Sequence, residues 1–210
     1  MIAVNLDVIS DEIGGYQDLL RPEYKNSIVL IDDTRIIIGS ALMSLGYDMN
    51  STNVQELEEA REWLMKIKPN IKAFDSDSPK SFLMTKESSI GVMWSAEAIL
   101  AKEKNPHIEI IIPKEGHAVS VDNFAIMKGS TKLREVYFFI DYILRSDVME
   151  KIVLEYPYAS VNKITNQKMF RDSNIGSEYY RIGKAILNGK RVKNIGESIL
   201  EYDKIWASIK

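Results

Sequence analysis

Several side chains in this sequence could do chemistry, and most are acidic or aromatic residues set at the ends of apolar runs. Asp32-Asp33 follows the apolar run 27–31 and precedes a helical pattern. That is where open α/β sheets bind ligands, just outside the carboxyl end of a strand. A bare helix N-terminus attracts anions through its unpaired N–H groups, but two carboxylates reverse the local sign and favour a cation. Asp is also a preferred N-cap, so capping alone accounts for the pair equally well. Trp94 closes another apolar run and is followed by Ser95-Ala96-Glu97, which again places a large aromatic at a strand end. An ammonium on its face would gain about 0.5–2 kcal/mol, against the alternative of ordinary core burial. Asp122 interrupts the extended apolar stretch 119–127. A carboxylate there must be paired, capped or reserved for a ligand, unless Asp122-Asn123 is simply a turn. Tyr158, in Tyr156-Pro157-Tyr158 after a helix end, could add a second aromatic wall.

Other candidates read as structure. Asp75-Ser76-Asp77 resembles a carboxylate pair for metal or acid/base work, but it lacks the glycine and closing glutamate of a calcium loop and runs into Pro79, so it is expected to start a helix. His107 and His117 are ten apart, each beside Pro106 or Gly116, without the spacing of a helical metal pair, and both are expected in surface loops. Trp63 and Trp206 fall within amphipathic helices and read as packing. No Walker-type loop, dinucleotide fingerprint or Gly-x-Ser-x-Gly elbow occurs, so the chemistry expected is binding, not catalysis, with no metal and no cofactor.

The elements that must position these residues alternate as short apolar runs and longer amphipathic segments, the rhythm of an α/β fold. Residues 2–4, 27–31, 71–74, 90–94 and 108–112 read as buried strands, with parallel pairing the simplest arrangement. Residues 34–45 read as a helix closed by Gly46, and residues 54–67 as a second, with Leu57, Ala60, Leu64 and Ile67 on one face. Helices are also expected at 79–85, 96–104, 132–144 and 146–155, and a closing one at 196–209. Residues 164–194 are polar and weakly patterned. The chain has 210 residues, 45% of them apolar, which is enough for a substantial core. Its net charge of −3 suits a cationic ligand and argues against nucleic acid or anionic lipid. There is no cysteine, so thiolate chemistry and disulfides are excluded. No window is apolar for the roughly 18 residues a membrane span needs, and the first residues lack a signal-peptide pattern.

Five strings together resemble the spermidine/putrescine-binding proteins of bacterial ABC importers: Leu20-Arg21-Pro22-Glu23-Tyr24-Lys25-Asn26, Ile31-Asp32-Asp33-Thr34-Arg35, Gly91-Val92-Met93-Trp94, Pro113-Lys114-Glu115-Gly116 and Tyr158-Ala159-Ser160-Val161-Asn162. The resemblance runs from about residue 2 to residue 162 and thins to a skeleton in the tail. It implies a periplasmic-binding-protein-like fold of type II, with a mixed, mainly parallel sheet flanked by helices. It also implies an extracytoplasmic receptor, periplasmic or lipid-anchored, that closes two lobes on a linear polyamine and docks on a membrane permease. Asp33, Asp122, Trp94 and Tyr158 would be the ligand contacts. An effector-sensing domain of a transcriptional regulator with the same bilobal fold is the alternative.

The resemblance also marks departures. Ile36 stands where the family often places a glutamate, Ser120 where it often has tryptophan, and Val192 where a polar contact is expected. Fewer carboxylates and rings should weaken or redirect binding, because an unmatched ammonium in a closed cleft keeps its desolvation cost. By the same resemblance the first lobe is incomplete and the chain is a fragment. Residues 1–119 would form the second lobe, 120–165 a return segment of the first, and 166–210 a tail returning to the second. An exposed apolar face is then expected around residues 137–144, which could promote a dimer.

Overall fold

The computed structural model describes residues 1–172 and 174–210. In chain order its elements are β1 (Ile2–Asn5), β2 (Ile28–Leu30), α1 (Thr34–Ser44), α2 (Val54–Ile67), β3 (Ile71–Phe74), α3 (Pro79–Met84), β4 (Ile90–Val92), α4 (Ser95–Lys104), β5 (Ile108–Ile111) and β6 (Ala118–Val119). There follow α5 (Leu133–Leu144), α6 (Ser146–Glu155), α7 (Lys163–Asp172), α8 (Gly176–Ile186), β7 (Lys190–Arg191) and α9 (Ile199–Ile209).

The helices begin and end where local chemistry dictates. Asn53 caps α2, its Oδ1 accepting from Gln55 N and Glu56 N. At the other end of α1, Gly46 takes φ of 87°, a left-handed conformation that suits glycine. Gly46 N then donates to Met43 O and Tyr47 N to Leu42 O, the paired bonds of a Schellman motif. Asp75 Oδ1 accepts from Asp77 N and Ser78 N, both 2.8 Å, so this acidic pair turns the chain into α3 as expected.

The main sheet has the order β3-β2-β4-β1-β5. β2 is parallel to β3 and β4, whereas β1 is antiparallel to β4 and β5. Four strands therefore point one way and β1 alone runs against them, the mixed, mainly parallel sheet that the resemblance implies; the simpler expectation of parallel pairing fails only at β1. Alternation along the strands feeds two core layers. Ile2, Val4, Ile28 and Leu30 pack with α1, α2 and α9 on one face, while Ala3 and Val29 pack with Leu83, Ala98 and Ile99 on the other. Each fully buried aliphatic side chain contributes about 1.5–3 kcal/mol. Trp63 is buried and Trp206 packs edge-on against Phe74 at 5.1 Å, so both pack as expected.

Three further expectations need correction. The stretch 119–127 forms strand only at β6, which pairs in parallel with β7, and Asp122 lies beyond the pairing. Residues 164–194, read as weakly patterned, contain α7 and α8. α8 is docked on the body by Lys102–Glu178 (3.0 Å) and by Arg181 Nη2 donating to Ile110 O (2.7 Å). His117, expected in a surface loop, is only 6% exposed, because it opens the β6–β7 pairing and points its Nε2 at Ala185 O, 3.1 Å away. His107 is exposed as expected and pairs with Asp7.

α5 buries none of its residues. Tyr137, Phe138, Phe139 and Tyr142 are each more than half exposed, so an apolar face stands open where one was expected.

Two outcomes test this packing. Asn70, 3% exposed, donates through Nδ2 to Leu19 O and Arg21 O. Asn70→Ala strands two carbonyls and should lower unfolding free energy by about 1–3 kcal/mol in urea titrations. Burial lowers the pKa of His117 from its ordinary 6.5, so the folded state holds the neutral ring while the unfolded chain protonates first. Its contribution is fully present above pH 6.5 and is lost as pH falls from there through the depressed folded value, at no more than about 1.4 kcal/mol per pH unit. Unfolding of His117→Gln measured across this window should be flatter with pH than that of the parent.

Candidate functional site

Because β2 and β4 are neighbours and parallel, with Leu30 opposite Val92, the turns that follow them emerge side by side at one edge of the sheet. A cavity of about 920 Å³ opens there. Asp33 enters from the β2–α1 turn, Trp94 from the β4–α4 turn, Asp122 from the segment after β6, and Tyr158 from the loop after α6; all four line the same cavity.

Asp33 does two things at once. Its Oδ1 accepts from Ile36 N at 3.0 Å and caps α1, while Oδ2 carries no hydrogen bond among the described residues. The cap and ligand readings of this residue are therefore compatible. Its neighbour Asp32 is absent from the lining and pairs with Lys210 Nζ at 2.6 Å, the ammonium resting over the rings of Trp206 and Phe74. The acidic pair is thus split, one carboxylate to the cavity and one to the C-terminal helix.

Trp94 is half-buried at the start of α4. Asp122 is exposed at the rim, on a stretch without regular structure. Tyr158 is 44% exposed, and its loop is held from behind. Ser160 N donates to the Tyr179 hydroxyl (3.0 Å), which lies 2.6 Å from Asn166 Oδ1, and Asn166 Nδ2 donates back to Ser160 O (2.7 Å). Desolvation pushes the Tyr158 phenol above its usual pKa, and the negative charges of Glu97 and Asp122 add to the shift. The field around the ring is thus negative. Glu97 itself is held by Lys80 at 2.7 Å.

Ile36 and Ser120, the two departures noted in the sequence, line the cavity as an apolar and a small polar side chain, whereas Val192 is not in its lining. Sequence reasoning missed the wall built by α8, where Tyr179, Tyr180 and Lys184 face the cavity, with Lys184 Nζ 5.5 Å from the Tyr180 ring centroid. The apolar spacing of Tyr179, Ile182 and Ile186 was the available signal. His117 also lines the cavity, with Nε2 as the donor to Ala185 O. Among the described residues no cluster of three or more His, Cys, Asp or Glu could hold a metal ion. No helix among them is long and apolar enough to cross a membrane. Two carboxylates and two rings around one space can desolvate and hold an organic cation.

Comparison with known proteins places the chain in a family. The family model described as bacterial extracellular solute-binding protein matches residues 1–189. Over all 210 residues the chain is 31% identical to the spermidine/putrescine-binding periplasmic protein of Salmonella typhimurium and 30% identical to that of Escherichia coli K12, covering 60% of each. It superposes with a TM-score of 0.83 and 27% identity on the spermidine/putrescine ABC transporter substrate-binding protein of Streptococcus pneumoniae, covering 99% of this chain and 65% of that one. A solved structure from Listeria monocytogenes gives a TM-score of 0.89, also at 27% identity and with 99% and 65% of the two chains covered. The chain thus spans about three fifths of the length of the curated relatives it matches. With the family model matched over residues 1–189 of 210, this chain belongs to the bacterial extracellular solute-binding protein family.

Proposed function

We propose that the protein is the extracytoplasmic solute-binding component of an ABC importer, taking a polyamine such as spermidine or putrescine, or a related cationic solute, between two lobes. The observation that carries this reading is the convergence of Asp33, Asp122, Trp94 and Tyr158, spread over 126 positions of sequence, on one cavity. The names of the curated relatives support the amine class and the periplasmic setting.

The proposed mechanism is exchange of solvation. An ammonium entering the cavity gives up water and regains carboxylate oxygens at Asp33 and Asp122, while its methylenes lie against Trp94 and Tyr158. Closing the second lobe removes the remaining water and strengthens each charge contact. No bond is made or broken, and delivery to a permease follows from the closed shape. In this reading residues 1–119 belong to one lobe, 120–165 return to the other, and 166–210 come back. The docking of α8 on α4 supports that return, and the β6–β7 ribbon would mark the passage between lobes.

Isothermal calorimetry on the intact protein is the direct test. Heat of binding is expected with spermidine or putrescine, and silence with both would end the amine reading. Asp33→Asn and Asp122→Asn should each weaken binding about tenfold or more, a loss of about 1.4 kcal/mol. Because asparagine caps helices as well as aspartate does, Asp33→Asn should leave the melting temperature nearly unchanged, separating its charge from its cap.

A further inference from the structure

The β6–β7 ribbon is two residues long in each strand. Pairing so brief cannot hold itself in water. It is fastened from outside. Arg35, two residues beyond Asp33 on the first turn of α1, donates through Nη1 to Lys193 O (3.0 Å) and through Nη2 to Asn50 Oδ1 (2.9 Å), and its guanidinium lies 5.0 Å from the Tyr202 ring centroid. Asn50 closes the knot, its Oδ1 accepting from Lys193 N (2.8 Å) and its Nδ2 donating to Arg191 O (3.0 Å). On the opposite side of the same strand, Lys190 N donates to His117 O (2.8 Å) and Val192 N to Val119 O (3.4 Å). The approach is close enough that a Cβ on Gly189 would overlap Val119 Cγ2. Three residues past Val119 comes Asp122.

We infer that Arg35 and Asn50 are positioning residues that pin β7, and through it β6, to the amino end of α1, and so set the separation between Asp33 and Asp122. The two carboxylates sit on segments far apart in sequence, and this polar knot is a hydrogen-bonded path joining them, beside the direct contact of β6 with α1. Their separation decides which spacing of two ammonium groups fits both. The selected property is therefore diamine length, read by the two lining carboxylates and tuned from outside the cavity by the knot that spaces them. The last step rests on the amine reading above; the fastening itself does not.

Two measurements on the intact protein divide the question. In Arg35→Ala and, separately, in the milder Asn50→Ala, amide hydrogen exchange at Lys190 and Val192 should quicken about tenfold or more while amides of α2 stay protected. In the same variants, affinities for 1,3-diaminopropane, putrescine and cadaverine should converge, the ratio of best to worst falling about fivefold or more, with Arg35→Lys intermediate. Unchanged exchange at Lys190 and Val192 overturns the fastening, whatever the amines do. Faster exchange with an equal loss of affinity for all three diamines overturns the spacing role and leaves an ordinary anchor for the tail. Failure of the parent protein to bind any of the three, or spermidine, sinks the amine reading and the spacing role with it, and the fastening then stands or falls on exchange alone.

Discussion

One strand placed against the direction of its neighbours underlies the arrangement. β1 is inserted between β4 and β5 with Ile2, Ala3, Val4 and Asn5 all at 0–1% exposure. Its backbone groups are satisfied on both sides, which is what lets a segment this short be fully buried. Its side chains alternate between the two core layers and so join them. With β1 between β4 and β5, β4 is the central strand, β2 lies beside it and co-directional, and the loops leaving the two must surface together. The meeting of Asp33 with Trp94 is thus a consequence of strand order, before any ligand enters the picture.

How far the fold could be read in the sequence depended on how local its signals were. Helix α2 was legible to the residue, because Asn53 caps it, Pro69 stops it soon after, and Leu57, Ala60, Leu64 and Ile67 share a face. Helix α1 was legible at its end because Gly46 has a conformation few other residues adopt easily. The direction of β1 was not legible: an apolar run of four carries no arrow, and direction is set by partners more than eighty residues away. The β6–β7 pairing was hidden for the same reason, since two residues have no periodicity. α7 and α8 were missed because their polar faces dilute the pattern. His117 was misplaced because a glycine neighbour suggested a loop, while the contact that buries it comes from Ala185.

The candidate site divides in the same way. Asp33, Trp94, Asp122 and Tyr158 could be nominated individually by type and context, yet each had an ordinary structural reading of comparable weight. What the structure adds is their coincidence in space around one cavity, which a single sequence does not contain. Asp33 shows that the readings need not compete, since one oxygen caps a helix while the residue also lines the cavity. Asp32 shows the converse, because adjacency in sequence did not make it a partner of Asp33; its carboxylate is engaged by Lys210.

The exposed aromatic face of α5 has a consequence for the order in which the molecule comes apart. This helix of twelve residues packs chiefly on α6 and follows a stretch, 120–132, without regular structure. With no side chain committed to either core layer, its opening is governed by its own hydrogen bonds, its packing on α6 and peripheral contacts such as Phe124–Phe139 and Asn162 Nδ2 to Leu144 O, while the five-stranded sheet opens only at the cost of the global transition. A protease in native buffer would therefore nick the 120–144 stretch first, while α6 stays tied to the body through Val153 and its packing on α7.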